Sequence, residues 1–306
     1  MNVRFGYGSP DSVRDVAAIV RLAQQADADG LDHVSLADHP YVPDMLDGYA
    51  AIAFLLGRTE RLSAFVNVTN LPLRPAPVLA RTATSLAALS GGRFILGLGA
   101  GGAWDRITTM GVPELRPAQA VEAFEEAMQL VHGLSDGGTP APTKHYPIGA
   151  LRPAAVPAPL IWTGSNGPKS LAATGRHADG WIPGHAADWL SDRYRWSRPI
   201  IDEAALAAGR KPSDIGTIYN FPGTITATPL RRTRDAEGRW IGGSPSQWTE
   251  ELTDAILNHN ATGFTLFPNG TDPYDTQLTR WSQEVVPAIR TEISRGSLLD
   301  RAVDGS

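Results

Sequence analysis

An aspartate and a histidine stand side by side at Asp38-His39, directly behind the apolar run His33-Val34-Ser35-Leu36. Histidine changes its charge nearest to neutral pH, so it can give a proton to a substrate or hold a negative site as a hydride departs. A neighbouring carboxylate can orient it. A lone histidine is more often structural or superficial; this one follows a strand and sits beside an acid. Further groups of use to a ligand follow later strands. Thr69-Asn70 with Arg74 comes after Ser63 to Val68, and Gly97, Gly99, Ala100, Gly101 and Gly102 follow Phe94-Ile95-Leu96. Gly164-Ser165-Asn166-Gly167-Pro168-Lys169 follows Leu160-Ile161-Trp162. Glycines behind a strand let backbone amides approach something bulky and flat, or a phosphate. The last run also outlines an anion site, because Pro168 suits a first helical position, with free amides and a positive dipole end beside it. Lys169 would add a point charge.

Trp104 and Trp162 are candidates to wall a flat ligand, and Arg74 to meet an acidic part of it. Trp162 ends a buried strand, so a place in the core competes with that role. Asp179-Gly180-Trp181 reads as structural, a tight entry to the next strand. The letters Gly97-x-Gly99-x-x-Gly102 match a dinucleotide fingerprint, but that pattern belongs to a first βαβ unit with an acid about 20 residues on. Here the run follows a fourth strand, and Glu114 and Glu122 fall in a loop and a helix. His132, His177, His185 and His259 show no metal-ligand spacing, no metal is expected, and no Gly-x-Ser-x-Gly elbow occurs.

The elements that must position these residues alternate along the chain. Strand-like runs at Arg4 to Tyr7, His33 to Leu36, Ser63 to Val68, Phe94 to Leu96, Leu160 to Trp162, Gly180 to Ile182, Ile215 to Asn220 and Phe264 to Phe267 are each followed by helical periodicity. Eight such pairs in 306 residues predict an α/β fold, a single (β/α)8 TIM-like barrel with insertions in the βα loops. The barrel domain is expected over 1–295, with irregular excursions at about 133–159 and 221–243, and 296–306 as a loose C-terminal tail. In such a barrel the loops leaving the strands' C-terminal ends carry the chemistry. All the candidates above fall on that one face.

Composition narrows the partners. A net charge of −5 and a pI of about 5.8 give no footprint for nucleic acid. The chain has no cysteine, which removes disulfides, thiolate catalysis and thiolate-bound metals. Neither a signal segment nor a membrane-length apolar run is seen, so a cytoplasmic protein is expected.

Ala37-Asp38-His39, the segment V-T-N-L-P-L-R-P from Val68, the block L-S-G-G-R-F-I-L-G-L-G-A-G from Leu89, and N-G-P-K-S-L-A-A-T-G-R-H-A-D-G-W from Asn166 together resemble the bacterial luciferase-like family of flavin- and deazaflavin-dependent oxidoreductases. The resemblance runs from the first strand to about Arg290. It implies FMN or the deazaflavin coenzyme F420 at the C-terminal mouth. A non-prolyl cis peptide near Val68 to Asn70 would form a bulge under the ring, and Gly97 to Gly101 with Gly164 to Gly167 would cradle the phosphate and side chain. The Asp38-His39 pair, the Thr69-Asn70 turn and the Asn166-to-Lys169 segment look more like F420-using members, with a hydride moving to or from a small organic substrate. A two-component FMN monooxygenase is the alternative, and a non-catalytic flavin-binding barrel a further one. A separate reductase and a homodimer are expected by the same likeness. Loops 103–116, 134–158, 184–190 and 221–243 are the expected substrate-lining parts.

Overall fold

In the first strand, Phe5 stacks on Phe264 of the last strand and meets Trp281 of the C-terminal helix edge-on, while Gly6 makes room for the His33 ring. Alternate residues of a strand point to opposite faces. Odd positions here face the helices and even positions face inward. The same alternation round the sheet divides the apolar residues in two. A large cluster fills the layer between strands and helices, and a separate one of Phe65, Ile95, Trp162, Ile182 and Ile218 fills the inside.

The inside is closed. In this computed structural model, which describes residues 3–184 and 187–303, with backbone only from residue 296, eight parallel strands pair in a ring. They are β1 (Arg4–Gly8), β2 (His33–Leu36), β3 (Ser63–Val66), β4 (Phe94–Gly99), β5 (Ile161–Thr163), β6 (Gly180–Trp181), β7 (Gly216–Ile225) and β8 (Gly263–Pro268). Each pairs with the next, and β8 pairs with both β7 and β1. Helices follow the strands and cover the outside, as the chain's alternating periodicity predicts. The fold is a (β/α)8 barrel.

Some boundaries differ from the sequence expectation. Strand β4 extends through Gly99, so Gly97 and Gly99 lie on the strand and not in a loop. Strand β7 extends through Ile225, and Thr224-Ile225 pairs with Gly242-Gly243, so the irregular part of the second excursion covers 226–241. The final helix contains a π-helical turn at Trp281–Val285, where Trp281 Nε1 donates to Gly6 O at 3.1 Å, and then continues through Val303. The backbone over 296–303, where a loose tail is expected, is helical; residues 304–306, like His185 and Ala186, lie outside the described residues.

Both excursions are tied down. Lys144 Nζ and His145 Nε2 reach Glu122 at 2.7 and 3.1 Å, fastening the first to helix Pro117–Gly133. In the second, Arg234 donates to Asp188 at 2.6 Å in the loop after β6 and to Glu251 on helix Pro245–His259. Its guanidinium also lies 6.0 and 5.9 Å from the ring centroids of Trp189 and Trp240.

Candidate active site

A cleft of about 240 Å³ opens at the C-terminal ends of β2 to β5. Asp38, His39, Val68, Thr69, Asn70, Gly99, Ala100, Gly101, Gly164 and Asn166, all expected at the site, contribute to its wall. Its floor is Val68. The peptide between Asn67 and Val68 is cis, one bond ahead of the expected stretch, and Val68 rests half-buried on the inner apolar cluster. A Cβ added at Gly99 would lie 2.8 Å from Val68 Cγ2, and one at Gly164 would lie 3.0 Å from it. Glycine at both places is what lets the valine fit between β4 and β5. Beside it Asn67 Nδ2 donates to Asn220 Oδ1 at 2.8 Å across the barrel mouth and reaches Ser35 Oγ at 3.3 Å.

Asp38 does not orient His39. Its carboxylate, 1% exposed, accepts from Arg74 Nη2 at 2.6 Å, from Arg74 Nε at 3.0 Å and from the Asn70 N–H at 2.9 Å. Arg74 is equally committed, since its Nη2 also donates to Asp47 at 2.7 Å and its guanidinium lies 4.4 Å from the Tyr49 ring centroid. Burial would lower the Arg74 pKa, but the hydrogen bonds and charges of Asp38 and Asp47 raise it overall. Asp47 in turn caps helix Gly48–Leu56 by accepting from Ala50 N–H at 2.9 Å. Tyr49 hydroxyl pairs with Thr69 Oγ1 at 2.7 Å. The knot of Asp38, Arg74, Asp47, Tyr49 and Thr69 therefore sets the turn after β3, and Asp38, expected to orient His39, instead clamps Arg74, the residue expected to meet an acidic part of the ligand.

Other candidates are also re-placed. Trp162 faces the inside of the barrel, edge-on to Phe65 with centroids 4.9 Å apart, beneath Val68 and out of reach of the cleft. Gly97 is a packing position, because a Cβ there would fall 1.9 Å from Val66 O. Ser165 turns into the wall, its hydroxyl accepting from Thr174 at 2.8 Å and its carbonyl from Trp181 Nε1 at 3.0 Å. Gly167 spends its N–H on Ser170 Oγ at 3.2 Å, and exposed Lys169 is not part of the cleft wall. Trp104 opens the short helix Trp104–Ile107 and stands behind Gly101, without lining the cleft. Asn166 does line it, and Arg193 Nη1 donates to its Oδ1 at 2.8 Å. Gly97→Ala should lower stability by about 1–3 kcal/mol, as overpacking does, read as a fall in the denaturation midpoint. An unchanged midpoint would contradict the packing role.

Two features suit a flat, polar-edged ring. Asn70 is buried and its Oδ1 has no hydrogen-bond partner, an unsatisfied acceptor at the cleft wall. Such a group normally finds a partner, and a ring N–H would serve. The valine platform between two glycines offers the apolar face. The residues fit a flavin-type ring. His39 is exposed at the rim of the same cleft. Tyr41, which the sequence reading passed over, also lines it; only its spacing of two residues behind His39 could have marked it.

The profile of the luciferase-like monooxygenases matches residues 3–299. The chain belongs to that family of oxidoreductases. A curated relative, the phthiodiolone/phenolphthiodiolone dimycocerosates ketoreductase of Mycobacterium kansasii, is 31% identical over 186 residues, which make up 58% of this chain and 48% of the relative. This chain thus spans about half that relative's length. The fold is similar to coenzyme F420-dependent tetrahydromethanopterin reductase from Methanopyrus kandleri, with a TM-score of 0.78 at 18% identity over 94% of this chain and 100% of that one. It is also similar to the oxygenating constituent of 3,6-diketocamphane monooxygenase of Pseudomonas putida in complex with FMN, with a TM-score of 0.70 at 18% identity over 94% and 99%. At these identities the structures bear on the fold alone. Among the described residues no helix is long and apolar enough to cross a membrane.

Proposed function

We propose that the protein is a coenzyme F420-dependent oxidoreductase that moves a hydride between the deazaflavin and a carbonyl or secondary alcohol carbon. When bound, the reduced deazaflavin supplies the hydride. The observation that carries the reading is the meeting, in one cleft, of the Val68 platform with His39. A carbonyl that gains hydride at carbon must gain a proton at oxygen, and His39, exposed at the rim where water can supply that proton, is the residue placed to hydrogen-bond the oxygen as it arrives. Gly99, Ala100 and Gly101 would present backbone to the ligand, Asn70 Oδ1 would accept a hydrogen bond from it, and the Asp38–Arg74 pair keeps that asparagine in place. The ketoreductase name of the relative supports a carbonyl substrate. Reduction of a carbonyl leaves the cofactor oxidised, so in that direction a separate reducing enzyme is part of the reading.

A second reading, a reduced-FMN monooxygenase, has the family description and the FMN-bound neighbour in its favour. The discriminating measurement is a calorimetric or fluorescence titration of the purified protein with F420 and with FMN, each oxidised and reduced. Binding of F420 in preference to FMN is expected, with anaerobic consumption of the reduced form when ketones are added. Preference for reduced FMN would replace the first reading by the second. Binding of F420 with no turnover of any donor or acceptor would point to a non-catalytic barrel, and binding of neither would end both.

A further inference from the structure

His39 does not stand alone at the rim. Its Nδ1 lies 2.9 Å from the Tyr41 hydroxyl, and the two rings stack with centroids 5.6 Å apart and planes inclined at 29°. Both contacts act on one imidazole, the first naming a nitrogen and the second setting the plane of the ring. No protein group bonds Nε2 among the described residues, so that nitrogen is left for a ligand. Tyr41 is itself held. Its ring lies 5.9 Å from the Arg106 guanidinium, and the phenol's pKa is raised, chiefly by burial, with Asp38 and Asp105 adding to the rise while Arg106 and a contact from Asn70 oppose it. A phenol that stays protonated is a donor, and the unprotonated nitrogen of a neutral imidazole is a good acceptor.

We infer that Tyr41 is the positioning residue of this site, donating its O–H to His39 Nδ1 so that the neutral imidazole carries its proton on Nε2 and turns Nε2–H to the ligand. The inference rests on the proposed reading only for what the ligand is; the tautomer is a property of the protein by itself. An imidazole whose second nitrogen is bonded has one tautomer and one orientation, and which nitrogen bears the proton is set by the bond the other makes. A neutral imidazole so held can polarise a carbonyl oxygen by donating from Nε2. The sequence carries the device in Asp38-His39-Pro40-Tyr41, where two residues of separation return the phenol over the imidazole.

The test is nitrogen NMR of the ligand-free protein, labelled at histidine, at a pH where the imidazoles are neutral, with His39→Gln used to assign the His39 signals. In the wild type Nε2 should be protonated and Nδ1 should show the shift of a hydrogen-bond acceptor. In Tyr41→Phe, which keeps the stacked ring and loses only the hydroxyl, the Nδ1 shift should vanish and the signals should move toward the averaged tautomers of a free imidazole. Circular dichroism and the melting midpoint, expected unchanged, establish that Tyr41→Phe is folded. With the active cofactor in hand, Tyr41→Phe should lower kcat by roughly ten- to a hundred-fold, in line with losses from mispositioned groups, with KM and cofactor Kd within about two-fold of wild type. A wild-type His39 protonated on Nδ1, or spectra identical in both proteins, would overturn the inference even if F420 binds and turns over. The predicted spectra without F420 binding would leave the pairing standing and remove only the functional reading.

Discussion

Replacing Arg74 by methionine is expected to destabilise the protein by about 3–5 kcal/mol, the usual cost of stranding one partner of a buried ion pair. Asp38, whose side chain is 1% exposed, would be left with the Asn70 N–H as its remaining hydrogen bond. Methionine matches much of the arginine stem's volume, so the loss would report charge and hydrogen bonds more than packing. The double variant Asp38→Asn, Arg74→Met should recover most of the loss, because no uncompensated charge is then buried. Urea unfolding of the single variants and the pair gives the coupling directly. A loss under about 1 kcal/mol for Arg74→Met would mean that water reaches Asp38 and that the clamp is ornamental. Ligand affinity should fall in Arg74→Met as well, since the turn bearing Asn70 hangs on the same carboxylate.

The second large effect is a dependence of stability on pH that comes from inside the barrel. His33 is fully buried between Phe65 and Trp162, its Nε2 is paired with Thr265 Oγ1 at 2.8 Å, and its Nδ1 has no partner. Burial, helped by the charge of Arg4, pushes its pKa down from 6.5 to about 3. A base whose folded pKa lies below its unfolded value favours the native state while neutral. Between the two pKa values the unfolded chain binds the extra proton, so stability rises with pH there. The contribution is complete above the unfolded value near 6.5 and is lost as pH falls from there toward 3, by about 1.4 kcal/mol per pH unit and about 5 kcal/mol in all. Urea denaturation at a series of pH values should show that slope in the wild type and a shallower one in His33→Gln. Parallel curves for the two proteins would assign the acid sensitivity elsewhere.

The barrel itself was readable because its signals are local. Each strand-like run is followed by helical periodicity, and each pair needs only its neighbours to declare it. Strand ends were less readable, since Gly97 and Gly99 look like loop residues in sequence yet continue β4, where their missing side chains admit Val66 O and Val68. The site was legible as a set of loops but not as a set of roles. Asp38 and His39 are adjacent in the chain, yet one turns into the barrel wall toward Arg74 and the other out to the rim, as successive side chains of an extended segment do. The partner that His39 does have is Tyr41, whose hydroxyl comes into reach only when the loop folds back on itself. Trp162 shows the converse limit, for a strand-end aromatic points either into a barrel or out of it according to register, which a three-residue run leaves undetermined.

Arg234 joins the loop that follows β6 to the loop that follows β7, through Asp188 on one side and helix Pro245–His259 on the other. Variation in this fold proceeds by exchanging such loops singly. Here a single exchange would leave Asp188, 4% exposed, without its cation, or leave Arg234 with Glu251 as its one remaining acid. The two loops form one inheritable unit, so a graft intended to change what this barrel accepts should carry both, with Glu251, as a single cassette.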